Sequence, residues 1–185
     1  MKNKKAFTLI EFIIIILIIG IMSGVGTSIL LFVIQNFGYT SNVMSMDMLA
    51  SDALNKMIEG DNLAGGLRFS KEITAAGDNT LAYIDQSGNA IVLALNTGTG
   101  KLSRTINAAP DSVFLYYQAA PNTLITFGRN AKLFTYYDSS GSVTTVPADV
   151  RRVEVNLLAR TASGSFADWQ GSTEYSSSVQ VSKYQ

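Results

Sequence analysis

The chain has 185 residues, with 14 basic and 14 acidic side chains and therefore a formal net charge of zero. This balance argues against a nucleic-acid-binding protein, which needs a basic face. The chain has no cysteine and no histidine, which excludes disulfides, thiolate nucleophiles, Cys/His zinc sites and imidazole bases. We therefore expect no cofactor and no metal site, and we assign no catalytic residue.

Apolar residues are concentrated near the N-terminus. Residues 12–34 form a run of 23 residues without a charge, and residues 1–5, which precede it closely, contain three lysines. A helix over residues 7–34 would be about 42 Å long, which exceeds the ~30 Å hydrocarbon core of a membrane. By the positive-inside tendency, the basic end stays in the cytoplasm and the rest of the chain lies outside it. We predict a single-pass anchor in the cytoplasmic membrane.

One acidic residue interrupts this apolar pattern. Glu11 lies near the start of the run, and a carboxylate at the centre of a membrane helix costs about 2.5–3.5 kcal/mol. Such a residue is tolerated at the level of the lipid headgroups, or in contact with a cationic partner. The residue pattern by itself leaves both alternatives open.

The segment Lys4–Phe12, KKAFTLIEF, resembles the leader region of type IV prepilins and type II secretion pseudopilins. The resemblance implies that a prepilin peptidase removes the leader, residues 1–6, by cutting between Ala6 and Phe7. It also implies that the new amino group of Phe7 is methylated. Ala6 stands where the family usually has glycine. Glu11 matches the acidic residue of the family, which implies a role in assembly and axial register through pairing with the Phe7 amine.

The same resemblance implies the function, the location and the partners. We expect a structural subunit, minor rather than major, of a type IV pilus or a type II secretion pseudopilus, and not an enzyme. It would lie in the inner membrane with its head outside the cytoplasm, and then in the filament. The implied partners are other pilin or pseudopilin subunits, the prepilin peptidase, the inner-membrane assembly platform and, before assembly, membrane lipid. The alternative is a single-pass, membrane-anchored binding or adhesin protein.

The helix is expected to continue beyond the membrane. Residues 7–34 are the predicted transmembrane or filament-core part, and residues 35–60 are the predicted amphipathic continuation, with a stop at Gly60. Apolar residues at three- and four-residue spacing predict one buried helix face: Val43, Met46, Ala50, Ala53, Leu54 and Met57. We also expect Met44 and Met48 to pack against the globular head.

Residues 61–185 alternate short β-rich runs with turn signals, which predicts a globular β-rich head and an α+β fold. In the pilin-like plan, the second half of the long helix packs on an antiparallel sheet. Asp85–Gly88 and Asp138–Gly141 predict hairpin turns with glycine at a positive φ. The predicted strands are Leu67–Thr74, Leu81–Asp85, Ala90–Asn96, Lys101–Asn107, Ser112–Gln118, Leu124–Phe127, Lys132–Asp138, Ser142–Val146, Arg151–Arg160 and Ser178–Tyr184. From Leu133 onward, the order of the head is similar to that of the larger minor pilins and pseudopilins.

Two groups of acidic residues were considered as calcium ligands, because calcium prefers carboxylate oxygens. Asp52, Glu59 and Asp61 lie near the predicted end of the helix, with a spacing that matches no calcium loop. Asp168 and Glu174 lie in the polar segment 161–178, where the resemblance would allow a site. We predict that neither group holds a metal.

Overall fold

The computed structural model describes residues 8–98, 101–116, 118–119, 123–127, 132–163 and 172–181. Within these residues, one long helix, α1 (Leu9–Ile58), precedes ten β-strands and two 3₁₀ turns, η1 (Leu67–Phe69) and η2 (Pro147–Asp149). The strands form two antiparallel sheets. The predicted α+β fold, with a long N-terminal helix and antiparallel sheets, is confirmed.

Helix α1 is 50 residues long. It contains no proline, which would remove a backbone donor and break the helix, and its four glycines do not interrupt it. The helix ends before Gly60, whose φ of 84° lies in the left-handed region that favours glycine at a helix C-terminus. The N–H of Gly60 donates to the carbonyl of Lys56 (3.1 Å). The predicted stop at Gly60 is therefore confirmed.

The first sheet is a meander in which each strand pairs with the next one along the chain. A tight turn with Gly88 at a φ of 87° joins the second and third strands, as the sequence predicts. Its strands are β1 (Ser70–Ala76), β2 (Thr80–Asp85), β3 (Ala90–Asn96), β4 (Lys101–Ile106) and β5 (Ala109–Tyr116).

The second sheet is built around β9 (Arg152–Ser163), the longest strand. β10 (Ser172–Gln180) lies along one side of β9. Along the other side lie β8 (Phe134–Tyr137), near the start of β9, and β7 (Thr123–Phe127), near its end. The two-residue strand β6 (Gln118–Ala119) pairs with β7.

Nine of the ten predicted strands have bounds that differ from the observed ones, most of them by one to three residues, and three of these differences show what decides a strand. The segment Leu67–Thr74 begins as the turn η1, and the strand starts only at Ser70. The predicted strand Ser142–Val146 is absent from the described residues, where Val143 makes an isolated bridge to Tyr137. The carboxylate of Asp138 accepts the N–H groups of Ser140 and Ser142, which curls this segment into a loop.

The last strand is the third difference. It runs from Ser172 to Gln180, whereas the prediction began at Ser178 and extended to Tyr184, which lies outside the described residues. The serines and threonine that precede Ser178 lack the apolar alternation of a half-buried strand. They are in a strand because all nine residues of β10 pair with β9.

A single hydrophobic core joins α1 to both sheets. Met46, Ala50, Ala53 and Met57 of the helix are fully buried, as their spacing predicts. Alternate strand residues face the same core: Leu81, Tyr83, Ile91, Leu93, Leu95, Leu102, Phe134, Tyr136, Val153, Val155, Leu157, Ala159 and Val179. Each buried Val, Leu, Ile, Phe or Met side chain contributes roughly 1.5–3 kcal/mol through removal from water.

The prediction for Met44 and Met48 is wrong. Their side chains remain 59% and 60% exposed, because each lies two residues, or roughly 200° around the helix, from the buried Met46. In this helix, burial of a methionine therefore depends on the helix face on which it lies, and the residue type alone does not predict it.

The loop that follows α1 is held tightly against β2. The side chain of Asp85 is buried and accepts the N–H of Gly65 (3.1 Å), and the hydroxyl of Tyr83 donates to the carbonyl of Gly65 (2.9 Å). Gly60 and Gly66 pass so closely that a Cβ on Gly66 would lie 2.3 Å from the nitrogen of Gly60. This loop fixes the C-terminal end of α1 on the first sheet.

The chain forms two compact units, residues 1–41 and residues 42–185. The second unit contains the last turns of α1 together with both sheets and the core. The first unit contains the whole apolar run, residues 12–34.

Candidate functional site

The first turn of α1 places Glu11 beside Thr8. The backbone N–H and the hydroxyl of Thr8 both donate to the same carboxylate oxygen, Oε2 of Glu11, each at 2.8 Å. The N–H of Glu11 lies 3.4 Å from the Thr8 hydroxyl oxygen. This reciprocal arrangement is a capping box, which satisfies backbone donors that have no partner at the start of a helix.

The capping box involves only one of the two carboxylate oxygens of Glu11, Oε2. Within the described residues, Oε1 of Glu11 accepts no hydrogen bond, so one oxygen remains available to a cation. The negative charge also lies at the positive end of the helix dipole, which favours it. The cap therefore holds Glu11 in a defined position and leaves its charge without a cationic partner in the part of the chain that is described.

The surface around Glu11 is apolar and exposed. Leu9, Ile10 and Phe12 are 80%, 66% and 58% exposed, and large exposed apolar side chains continue as far as Ile34. Since water is a poor environment for such a surface, lipid or other protein must cover it. Glu11 is therefore an isolated charge on a surface built for apolar contact.

Small and hydroxyl residues lie further along the same part of α1. The hydroxyl of Ser23 donates to the carbonyl of Ile19 (2.7 Å), and Thr27 and Ser28 make the same type of bond one turn back. These polar groups are thus satisfied inside the helix, as an apolar environment requires. A Cβ added to Gly20, Gly24 or Gly26 would meet no described atom within 4 Å. Small residues of this kind allow close approach of another helix.

Among the described residues, α1 is one helix that is long and apolar enough to cross a membrane by length and composition. The proposed cleavage site, Ala6 and Phe7, lies outside the described residues, so the cut and the methylation remain predictions. Glu11 is the one predicted site residue that the structure describes.

The three acidic residues near the end of α1 that were considered as calcium ligands each pair with a cationic side chain. Asp52 pairs with Lys56 (3.0 Å), and Glu59 pairs with Arg68 (2.9 Å). Asp61 pairs with Arg104 (2.6 Å). Glu174 is on the exposed side of β10, and Asp168 lies outside the described residues. No group of three acidic side chains that could hold a metal occurs in the described ranges.

Two comparisons with known proteins give no match, and one gives a match at the N-terminus. Residues 1–27 match the prokaryotic N-terminal methylation motif. The match supports the resemblance of the N-terminal segment to type IV pilins and pseudopilins. No curated protein and no solved structure matches the chain. For this pilin-like chain, the motif and the long apolar helix fit a membrane-anchored protein, and the motif points to a structural role and to assembly with other pilin subunits.

The sequence analysis missed the role of Thr8. Thr8 and Glu11 have the spacing of a capping box, Ser/Thr-x-x-Glu, directly before an apolar run, which is a recognisable signal for a helix N-terminus. The pilin-like resemblance explained Glu11 by assembly alone. The structure adds that Glu11 also completes the start of α1.

The analysis also missed a buried ion cluster in the head. Arg104 on β4 is 1% exposed, and its Nε and Nη2 donate to Oδ2 of Asp111 on β5 at 2.8 and 2.5 Å. Nη2 also donates to Oδ2 of Asp61 (2.6 Å), in the loop that follows α1. A signal existed: Arg104 alternates with Leu102, which faces the core, and a charge at such a position requires an opposite charge.

Proposed function

We propose that this pilin-like chain is a structural subunit, minor rather than major, of a type IV pilus or type II secretion pseudopilus. It enters the inner membrane with its head outside the cytoplasm, and the prepilin peptidase cuts between Ala6 and Phe7. The amine of Phe7 is then methylated. The chain assembles with other subunits through residues 7–34, with the help of the assembly platform.

The observation that carries the proposal is the position of Glu11. Its carboxylate is fixed by Thr8 on an exposed apolar surface, where an unpaired charge is costly. Cleavage would create an amino group at Phe7, next to Thr8, and its reference pKa of about 7.7–8.0 keeps it cationic near neutral pH. Pairing of this cation with Glu11, within one chain or between neighbours, would neutralise both charges and set the axial register of the filament.

The second support is the surface of α1. Its glycines meet no described atom within 4 Å, and the hydroxyls of Ser23, Thr27 and Ser28 bond within the helix. This surface therefore suits contact with other helices in lipid and then in a filament. A simple membrane anchor would need neither the glycines nor a placed carboxylate.

Processing is tested by intact mass and N-terminal analysis of the mature protein. We expect loss of residues 1–6, a methylated Phe7 and therefore 179 remaining residues. Retention of Lys2 or Lys4 in the assembled protein would contradict the proposed processing.

Assembly is tested by separating the charge of Glu11 from its capping role. Glu11→Gln keeps an acceptor for Thr8, because glutamine also completes a capping box, but it removes the charge. Glu11→Val removes both, and Thr8→Ala removes the hydroxyl of the cap while the charge stays. We expect both Glu11 variants to insert into the membrane normally, and their share in sheared filaments to fall at least tenfold.

The control is the membrane-inserted fraction of each variant, and Thr8→Ala should lose much less of its filament share than Glu11→Gln. If Glu11→Val and Glu11→Gln reach the filament as fully as the unchanged protein, Glu11 has no role in assembly. The membrane-anchored binding or adhesin protein would then be the better description.

A further inference from the structure

The two sheets of the head expose several edge strands, which differ in how they are protected against pairing with another chain. Natural proteins protect edges with short strands, bulges, prolines, charges or a covering segment. β6 has two residues. β5 contains Pro110, and its pairing with β4 is shifted between Ser103 and Thr105. These edges offer a partner strand little regular backbone.

The edge strand β1 is protected in several ways at once. Its pairing with β2 is shifted at two places, between Ser70 and Glu72 and between Ile73 and Ala75. Lys71 and Glu72 are exposed on it, and the turn η2 lies beside it. An added strand would meet charges, an irregular backbone and a neighbouring segment.

β10 is not short, has no bulge and contains no proline. All nine of its residues pair with β9 in one unbroken register, and Glu174 is its only charged residue. A long, regular and nearly uncharged edge is a template for a further strand. β10 therefore differs from the edge strands β1, β5 and β6.

The direction of the backbone groups in β10 follows from one hydrogen bond. The N–H of Val181 donates to the carbonyl of Arg151 (2.8 Å), one step beyond the pair of Gln180 with Arg152. In an antiparallel ladder, hydrogen-bonded pairs alternate with pairs that are not bonded. The odd-numbered residues of β10 therefore bond to β9, and the N–H and C=O groups of Glu174, Ser176, Ser178 and Gln180 point away from it.

This outer edge is accessible in the described structure. Glu174, Ser176, Ser178 and Gln180 are all exposed. No described residue makes a hydrogen bond to their backbone groups. The turn η1 also comes near β10, and its Arg68 and Phe69 side chains remain exposed. A regular row of donors and acceptors is thus presented to solvent.

The strand itself is firmly held, so it can receive a partner without rearrangement. Val179 and Val181 are buried in the core. The hydroxyl of Tyr175 bonds to the carboxylate of Asp47 on α1. These contacts fix β10 to the helix and to the core. The outer edge of β10 is not used for them.

The side chains next to β10 offer a partner few free polar groups, so the backbone of β10 is the main binding element. A groove of about 320 Å³ is lined by Arg152, Glu154 and Ser176–Ser178. Its two charged side chains already have partners. Tyr137 donates to Glu154 (2.7 Å), and the guanidinium of Arg152 lies over the Tyr137 ring at 4.0 Å. The serines are short, so an extended chain could lie along β10 without obstruction.

From these observations, we propose that the outer edge of β10 docks an extended strand of a different subunit. The pairing would be β-augmentation, in which main-chain hydrogen bonds give affinity. Four residues of β10 offer donors and acceptors, and small or polar side chains suit the serine-lined groove. The inference rests on the proposed function for the class of the partner, a neighbouring subunit.

Orientation argues against the pairing of two β10 edges from two copies of the chain. Antiparallel pairing of two β10 edges would relate the copies by a two-fold axis perpendicular to the sheet. Residues 42–58 of α1 lie against the inner side of the same core, so the two helices would point in opposite directions. Subunits that stack in one direction along a filament, as the proposed function implies, are not related by such a two-fold axis.

The test places the photo-crosslinker p-benzoylphenylalanine at position 178 of the full chain in cells, and at position 71 on β1 as a control. We expect a discrete adduct with a different chain from position 178 and none from position 71. Ser176→Pro should lower this adduct at least fivefold, because it removes an outward N–H without touching the bonds to β9. Ser176→Ala, which keeps that N–H, should leave it unchanged.

Hydrogen exchange gives a second readout if Ser176→Pro destabilises the head. In the detergent-solubilised chain, the amides of Ser176 and Ser178 should exchange fast and that of Ser177 slowly. In the assembled protein, the first two should slow at least tenfold.

Several results would overturn the inference: no adduct, an adduct of twice the mass of the chain, a crosslink within the chain, or an adduct that is unaffected by Ser176→Pro while the Ser176 and Ser178 amides stay fast. Failure of the proposed function is seen separately. In that case the Glu11 variants would behave like the unchanged protein, whatever crosslinks form at position 178.

Discussion

The first 41 residues and the rest of the chain use apolar side chains in opposite ways. Between Leu9 and Ile34, the large apolar side chains are 41–80% exposed. In the second unit, Met46, Ala50, Ala53 and Met57 of the same helix are fully buried against two sheets. Both stretches are helical, but residues 12–34 contain no charge, whereas the second stretch contains Asp47, Asp52 and Lys56 on the side away from the core. The difference is whether the chain itself supplies the other half of the contact.

The comparison explains where polar groups are tolerated. In the second unit, Arg104 is buried with two carboxylates from other segments, so the chain neutralises its own charge. In the first unit, Glu11 has a cap but no cation among the described residues. The core thus contains a charge that is neutralised within the chain, whereas the exposed apolar surface carries a charge that needs a cation from elsewhere.

The largest expected effect comes from removing the first region. A fragment of residues 35–185 should be soluble without detergent, monomeric and rich in β-structure, because the exposed apolar surface is gone. Sedimentation and circular dichroism test this, with the full chain in detergent as the reference. An aggregated fragment would mean that the head also has a large uncovered apolar surface.

Breaking the buried ion cluster should destabilise this fragment strongly. Arg104→Met leaves the carboxylates of Asp111 and Asp61 without their shared cation, and we expect a loss of about 3–5 kcal/mol in the free energy of unfolding. The control is Arg68→Met, which removes an exposed pair with Glu59 and should cost about 0–1 kcal/mol. Urea unfolding measures both, and equal losses would show that the buried cluster contributes nothing beyond a surface pair.

Two methionines of α1 give a matched test of burial. Met57 is fully buried and Met48 is 60% exposed, in the same helix and the same unit. Met57→Ala should cost about 2–5 kcal/mol of stability, whereas Met48→Ala should change it by no more than about 0.5 kcal/mol. A similar loss for both, measured by urea unfolding, would contradict the observed helix face.

The head should lose stability in acid. Burial raises the pKa of Asp61, but the hydrogen bond from Arg104 and those from the N–H groups of Leu63 and Ala64 outweigh it, so the pKa lies below its usual value. A carboxylate with a lowered folded-state pKa stabilises the fold above its unfolded pKa of about 3.9. That contribution is lost as the pH falls through the lower, folded-state pKa.

Urea midpoints between pH 7 and pH 2 test this expectation. The unchanged fragment should weaken steeply below about pH 4. Asp61→Asn should be less stable at pH 7 and show a flatter decline in acid. Parallel curves would show that Asp61 is not a source of the acid sensitivity.

The smallest effect is expected at the start of α1. Thr8→Ala removes the hydroxyl of the capping box, while the backbone N–H of residue 8 can still donate to Glu11, and it should cost about 1 kcal/mol locally. In detergent micelles, the amides of the first helical turn should then exchange about fivefold faster. Thr8→Ser, which keeps the hydroxyl, should restore the protection, and an unchanged exchange rate in Thr8→Ala would contradict the cap.

Local signals determined much of this protein from the sequence alone. The apolar run, the three lysines before it and the segment Lys4–Phe12 predicted a membrane-length helix with a processing motif. Gly60 marked the helix stop, Gly88 marked a hairpin turn, and the three-to-four spacing identified the buried methionines. Each of these signals depends on residues that are close in the chain, where geometry is set by a few backbone angles.

The tertiary structure decided what depends on distant residues. Arg104 and Asp61 are 43 positions apart, so no local pattern shows that they neutralise each other. Ser172–Gln180 has little apolar alternation, and it becomes a strand because β9 completes its backbone hydrogen bonds on one side. Its other side, left open in the described structure, is likewise a property of the sheet. A hydrogen bond or an ion pair needs both partners in place, and only the folded chain brings them together.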